Sequence, residues 1–268
     1  MSWLRVRQVL LAIILIYGIY VLVSGILIFY VIKPEPAKNV DLQFNQTDER
    51  VTLIDRPADA WQSRVDLIKS AQETLDISYY AFHGGESVEV FAGLVLDAAD
   101  RGVNVRFLLD GLANGLMSFP EIYQLLASHP NIEFYFYEPL NLLKPWTWQN
   151  RMHDKIIIAD NQVAMMGGRN IGDKYFTDNV PSLSIDRDVM LFKGDQAKDT
   201  DLIAQIANHY QNLLNSDITV SQDKTYSDRK MSRVEENKQD LINKMSEVTD
   251  PDPTLSGWLD RRDRKSVV

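Results

Sequence analysis

The chain has no cysteine and only four histidines among its 268 residues. The first absence removes disulfides, thiolate metal sites and thiol nucleophiles, and leaves the compartment open, because a chain of this length can fold without disulfide support. Basic charge is also scarce: 28 Lys+Arg face 37 Asp+Glu, for a net charge of −9. Proteins that grip nucleic acid through its phosphates usually carry a basic face, so this balance argues against a nucleic-acid partner. It leaves room for a small basic pocket within an acidic surface. From Val9 to Ile32 charge is missing altogether, and Tyr17, Tyr20, Ser24 and Tyr30 are the polar interruptions. At ~1.5 Å rise per residue this run exceeds the ~20 residues needed to cross a bilayer. It is too long for the apolar core of a signal peptide, and no A-x-A-like site follows it. Residues 1–32 are therefore expected to form a short tail and a single-pass transmembrane anchor in the cell membrane. Arg5 and Arg7 precede the run, and Lys33 and Lys38 follow it. The positive-inside count is nearly balanced, and the short arginine-bearing tail favours a soluble domain outside the cytoplasm.

What is present is enough for one sizeable core, with 45% of residues hydrophobic. Residues 33–50 are polar and contain proline, and are expected to be a linker. Strands and helices are then expected to alternate over residues 51–215. The strand-like segments are 51–54, 75–82, 103–109 and 132–137. Helical spacing runs through Trp61, Val65, Ile68 and Ala71, through 88–101 before Gly102, and from Pro120 to about Ser128. A further helix is expected over 197–214. Residues 216–262 are polar and charged, with few large apolar side chains, and are expected to be a helical or disordered linker. The fold class is α/β with a largely buried sheet.

One segment carries chemistry: Arg151-Met-His153-Asp-Lys155-Ile-Ile-Ile-Ala-Asp160-Asn-Gln-Val-Ala-Met-Met-Gly167-Gly168-Arg169-Asn170. Apolar runs at 156–159 and 163–166 flank Asp160-Asn161-Gln162, which predicts a hairpin. Residues two apart on a strand face the same way, so His153 and Lys155 project together while Asp154 points away. The hairpin also brings its ends together, placing Asn170 near His153. Gly167 and Gly168 permit a close backbone approach or unusual φ values. This set suits a phosphodiester: a neutral imidazole attacks phosphorus, Lys155 supplies positive charge, and the Asn170 amide donates to a phosphoryl oxygen.

The pattern H-x-K-x4-D-x6-G-G-x-N resembles the signature of the phospholipase D superfamily at every defining position. The extension Gly-Gly-Arg-Asn-Ile-Gly-Asp-Lys-Tyr-Phe (167–176) is similar to the bacterial cardiolipin synthase-like branch. The resemblance covers roughly residues 50–215. It implies an α/β sandwich with a mixed sheet, a phosphohistidine intermediate, and no metal or cofactor. It makes His153 the nucleophile or its acid/base counterpart, with Lys155, Asn170 and Gly168 around the phosphate. It also implies an acidic residue on a following strand that orients the histidine; Asp188 is the candidate and Asp186 the alternative. Arg169 could line the pocket or form a surface ion pair. Asp160 and Gly167 belong to the structural part of the motif. His83, ahead of Gly84-Gly85, could approach a site at the strand ends, whereas His129 and His209 are read as ordinary. Trp146, Trp148, Leu142 and Leu143 could touch lipid, pack in the core or belong to a mobile loop.

The substrate class that follows is a phosphatidylglycerol-type phospholipid at a membrane, with transfer or hydrolysis as the outcome. A homodimeric single-motif nuclease and an inactive lipid-binding half are the alternatives. Members of the superfamily combine two such motifs across a pseudo-twofold axis, so a second motif is expected from a homodimer or from the rest of a longer natural chain. Residues 263–268 (Asp-Arg-Lys-Ser-Val-Val) are what the string GATCGGAAGAGCGTCGTG encodes. That string is a common sequencing-adapter read, so these residues are expected to be an artefact and the reading frame to continue into a second half.

Overall fold

The computed structural model describes residues 3–31, 48–177, 184–196, 201–222 and 228–248. Most of the linker expected at 33–50, the start of the helix expected at 197–214 and the adapter-like residues 263–268 lie outside them.

The chain divides into two compact units. The first joins the N-terminal segment to residues 140–150. Its helix α1 (Trp3–Val31) contains a stretch, Trp3–Ile28, of mean hydropathy 2.7, long and apolar enough to cross a membrane, with none of it buried. Two tyrosines on this helix meet the 140–150 segment: Tyr17 Oη donates to the Leu142 carbonyl at 3.0 Å, and Tyr20 Oη to that of Leu143 at 2.5 Å. The Leu142 and Leu143 side chains stay exposed, at 58% and 77%. Of the readings open for this segment, core packing is excluded for these two leucines.

The second unit is a mixed eight-stranded sheet between helices. Its strands are β1 (Arg50–Ile54), β2 (Thr74–Tyr79), β3 (Asn104–Asp110), β4 (Ile132–Tyr137), β5 (Lys155–Ala159), β6 (Val163–Gly167), β7 (Asp188–Phe192) and β8 (Thr219–Ser221). They lie in the order β1-β7-β6-β5-β2-β3-β4-β8. The parallel pairs are β2–β3 and β3–β4. Helices α2 (Pro57–Ser70) and α3 (Glu86–Asp100) form the connection either side of β2, and α4 (Pro120–Ser128) joins β3 to β4. The period of two in β5 decides its burial. Ile157 and Ala159 enter the large core with α2, α3 and α4, while Ile156 and Ile158 enter a smaller core with Ile203 and Tyr210 of α5 (Leu202–Leu214). Helices therefore cover both faces.

β8 adds a strand beyond residue 215, antiparallel to β4. The polar segment after it forms α6 (Asp228–Val248), whose Met245 is buried against the core beside Leu241 and Ile242. A few apolar side chains on one face suffice because the approach is close. A Cβ on Gly93 of α3 would lie 2.6 Å from the Leu241 carbonyl oxygen and 2.8 Å from Met245 Cβ. Lys244 pairs with Glu89 of α3, and Lys238 with Asp100 at 2.6 Å. Gly93→Ala is therefore expected to loosen α6 while α3 stays folded, at a cost of about 1–3 kcal/mol from overpacking. Hydrogen exchange checks this: amides of 235–248 should exchange faster, and unchanged protection would contradict the packing.

Candidate phosphodiester site

The hairpin forms with β5 paired to β6 from Ile156↔Met166 to Ala159↔Val163. Its turn holds Asp160 at φ 52° and Asn161 at φ 51°, a left-handed pair that Asp and Asn adopt at low cost. The Asp160 carboxylate then accepts from the backbone N–H groups of Gln72, Glu73 and Thr74 at 2.8–3.0 Å. Asp160 thus ties the hairpin turn to the start of β2, far from the open end where chemistry is expected.

At that open end, β2 pairs Tyr79 with Lys155 and collects the polar side chains. The His153 ring lies 4.6 Å from the Tyr80 ring, and Lys155 Nζ stands 5.4 Å from the same ring, a cation over an aromatic face. Lys155 Nζ reaches His153 twice, at 2.7 Å to its carbonyl oxygen and 3.1 Å to Nδ1. Lys155 is buried and His153 exposed. Burial pushes the Lys155 ammonium below its ordinary pKa, opposed by the charges of Asp154 and Asp186. Asp154 faces the other way, with Oδ2 2.7 Å from Nε2 of His209 on α5. The rule of alternating faces predicts this separation.

Asn170 joins the same strand end. Its Oδ1 accepts from the Ala81 N–H at 3.2 Å, and its Nδ2 donates towards Tyr175 Oη at 3.3 Å and His83 Nε2 at 3.4 Å. Phe82 and Ile171 form a parallel bridge alongside. The segment leading into His153 is anchored from β3. Asp110, fully buried, accepts from the Met152 N–H and from Arg151, each at 3.0 Å. His129, by contrast, pairs with Asp100 at 3.0 Å, away from this cluster.

Two expected site residues are placed elsewhere. Asp188 Oδ2 accepts from Arg64 Nη1 at 2.9 Å and from Arg169 Nη1 at 3.1 Å, and all three side chains are at most 1% exposed. Arg169 also donates to the carbonyls of Ile54 and Asp55, and Arg64 to Tyr79 Oη and the Ala60 carbonyl. A carboxylate compensating two buried guanidinium groups is held inside the domain and is not the partner of an exposed histidine. Arg169 likewise neither lines a pocket nor forms a surface ion pair. Asp186, half-buried, is the acidic group on the Lys155 side. The paired glycines serve close approach. A Cβ on Gly167 would lie 2.0 Å from Asp188 Oδ1, and one on Gly168 would lie 2.3 Å from Asp186 Oδ1. Gly168 therefore admits Asp186 to this side.

Tyr80, Tyr175 and Asp110 escaped the reading of the sequence. Tyr175 lies inside the extended motif and Tyr80 in the strand LDISYYAF, so proximity to the motif was the available signal. Nothing local marks Asp110. Among the described residues no cluster of acidic or histidine side chains is arranged to hold a metal ion.

A family model described as cardiolipin synthase, PLD-like domain, matches residues 65–218. Cardiolipin synthase C of Escherichia coli K12 is 38% identical over 146 residues, covering 51% of this chain and 30% of that protein. An uncharacterized Helicobacter pylori J99 protein is 36% identical over 173 residues, covering 60% of this chain and 34% of the relative. The chain thus spans about a third of the length of these relatives. Among solved structures, Nuc from Salmonella typhimurium, described as a phospholipase D family member, aligns with a TM-score of 0.48 at 18% identity, covering 66% of this chain and 99% of that one.

Proposed function

The chain belongs to the cardiolipin synthase, PLD-like domain family, and from that premise we propose that it transfers or hydrolyses the phosphatidyl group of a phosphatidylglycerol-type phospholipid. The observation that carries the reading is the gathering of His153, Lys155 and Asn170 at the end of β2. Lys155 and the Asn170 amide bring positive charge and a donor to phosphoryl oxygens, where charge builds up in phosphoryl transfer. His153 forms or breaks the bond. With Lys155 donating to Nδ1, the proton of the neutral ring sits on Nε2; attack by Nε2 needs that proton moved to Nδ1, and protonation of a leaving oxygen needs the imidazolium, which carries a proton on each nitrogen. Asp186 is the carboxylate we assign to stabilise the Nδ1–H form.

One imidazole cannot both attack and protonate at the same moment. A second motif therefore completes the site, from another copy or from the rest of a longer natural chain. In this reading α1 is an anchor, which its length and hydropathy support, and exposed Leu142 and Leu143 beside Tyr17 and Tyr20 suit a lipid surroundings. The soluble domain then lies outside the cytoplasm.

Expression from the natural reading frame in a bacterium that lacks cardiolipin tests the proposal. Cardiolipin should appear with intact His153 and vanish with His153→Ala. No cardiolipin from the intact protein, or equal amounts from both, would overturn transfer between phospholipids as the function.

A further inference from the structure

His83 sits beside the phosphate-binding amide yet belongs to none of the motif positions. Its backbone is held in place: the His83 N–H donates to the Ile171 carbonyl at 2.8 Å, and a Cβ on Gly172 would lie 2.9 Å from His83 Cβ. Its side chain is exposed, and the ring lies 5.6 Å from that of Tyr175.

The hydrogen bonds of Asn170 determine the state of this ring. Because Oδ1 accepts from the Ala81 N–H, the amide has a fixed orientation, and its NH2 faces Tyr175 Oη and His83 Nε2. An amide nitrogen only donates. His83 Nε2 must therefore accept, so the ring is neutral with its proton on Nδ1. The surroundings agree: burial and then the charges of Lys174 and Lys155 lower the His83 pKa from its ordinary value. The nearby Asp173 carboxylate is engaged with the Glu86 and Ser87 N–H groups at the start of α3.

We propose that His83 selects hydroxyl-bearing headgroups at this site, accepting a headgroup hydroxyl at Nε2 once a phosphoryl oxygen has taken the Asn170 N–H. The inference rests on the phosphodiester reading of the site. A bare imidazole lone pair beside a bound phosphate repels further oxygen acceptors and needs a donor. A glycerol headgroup supplies hydroxyls. A choline headgroup has no donor, and an ethanolamine headgroup brings a cation towards Lys155 and Lys174.

Binding of sn-glycerol 3-phosphate and phosphocholine to the purified full chain in detergent separates the outcomes without requiring turnover. Wild type should prefer glycerol phosphate by about tenfold, the effect of one hydrogen bond of ~1.4 kcal/mol. His83→Phe should abolish that preference, with weaker glycerol phosphate binding and phosphocholine binding no weaker than in wild type, and His83→Gln, which keeps an acceptor, should retain part of it. In the free protein, nitrogen chemical shifts should report the Nδ1–H tautomer of His83. A preference unchanged in His83→Phe, equal wild-type affinities, or a proton on Nε2 overturns the role of His83 alone. Failure of wild type to bind either compound overturns the phosphodiester reading and this inference with it.

Discussion

Replacing His153 by alanine is expected to lower phosphodiester turnover by about 10³-fold or more, with almost no effect on stability. Proton transfer by a positioned side chain alone contributes ~10²–10⁴-fold, and loss of a covalent route adds to that. On the proposed reading, Lys155 and Asn170 remain to hold a phosphate, with no group left that forms or breaks a bond. The His153 side chain is exposed and packs on one face of Tyr80. The unfolding free energy should therefore stay within about 0.5 kcal/mol of wild type, as for other surface substitutions. Turnover on phosphatidylglycerol vesicles and a denaturation curve on the same sample check both halves. Loss of activity accompanied by a large loss of stability would mean that His153 serves the fold.

The reverse pattern is expected one hairpin strand away. Asp188→Ala should destabilise the domain by about 3–5 kcal/mol, because it leaves the buried guanidinium groups of Arg64 and Arg169 without their carboxylate. Among the described residues their remaining acceptors are neutral carbonyl and hydroxyl oxygens, and Arg169 Nε has no partner there. Asp186→Asn should leave stability within about 0.5 kcal/mol of wild type while lowering turnover. Denaturant midpoints and initial rates for the two variants separate the roles. If Asp188→Ala kept wild-type stability and lost activity, Asp188 rather than Asp186 would be the carboxylate that serves the histidine.

The contrast between these neighbours shows which parts of the molecule could be read ahead of the structure. The hairpin and the shared face of His153 and Lys155 follow from local rules: apolar runs around a turn, and alternation along a strand. The α/β class with its buried sheet follows from the order of elements. Partners distant in sequence do not. Arg64 lies 124 residues before Asp188, and no feature of α2 announces that one of its arginines points inward. Asp188 and Asp186 are both acidic and both flank the start of β7, so spacing alone could not separate them. α6 was hidden for another reason: its overall polarity outweighs the few apolar residues that dock on Gly93. At the candidate site itself, Asn170 could be placed near His153, but its bonds to Ala81 and His83 depend on how β2 ends.

Head-group exchange is the most direct measurement of the central claim, that His153, Lys155 and Asn170 cleave and re-form a phosphodiester bond. The protein, expressed from the natural reading frame so that the second motif is present, is incubated with phosphatidylglycerol vesicles and labelled glycerol, and label entering the lipid is counted. Incorporation by wild type that disappears in His153→Ala is the predicted result. Equal incorporation by both proteins, or none by either, would contradict it.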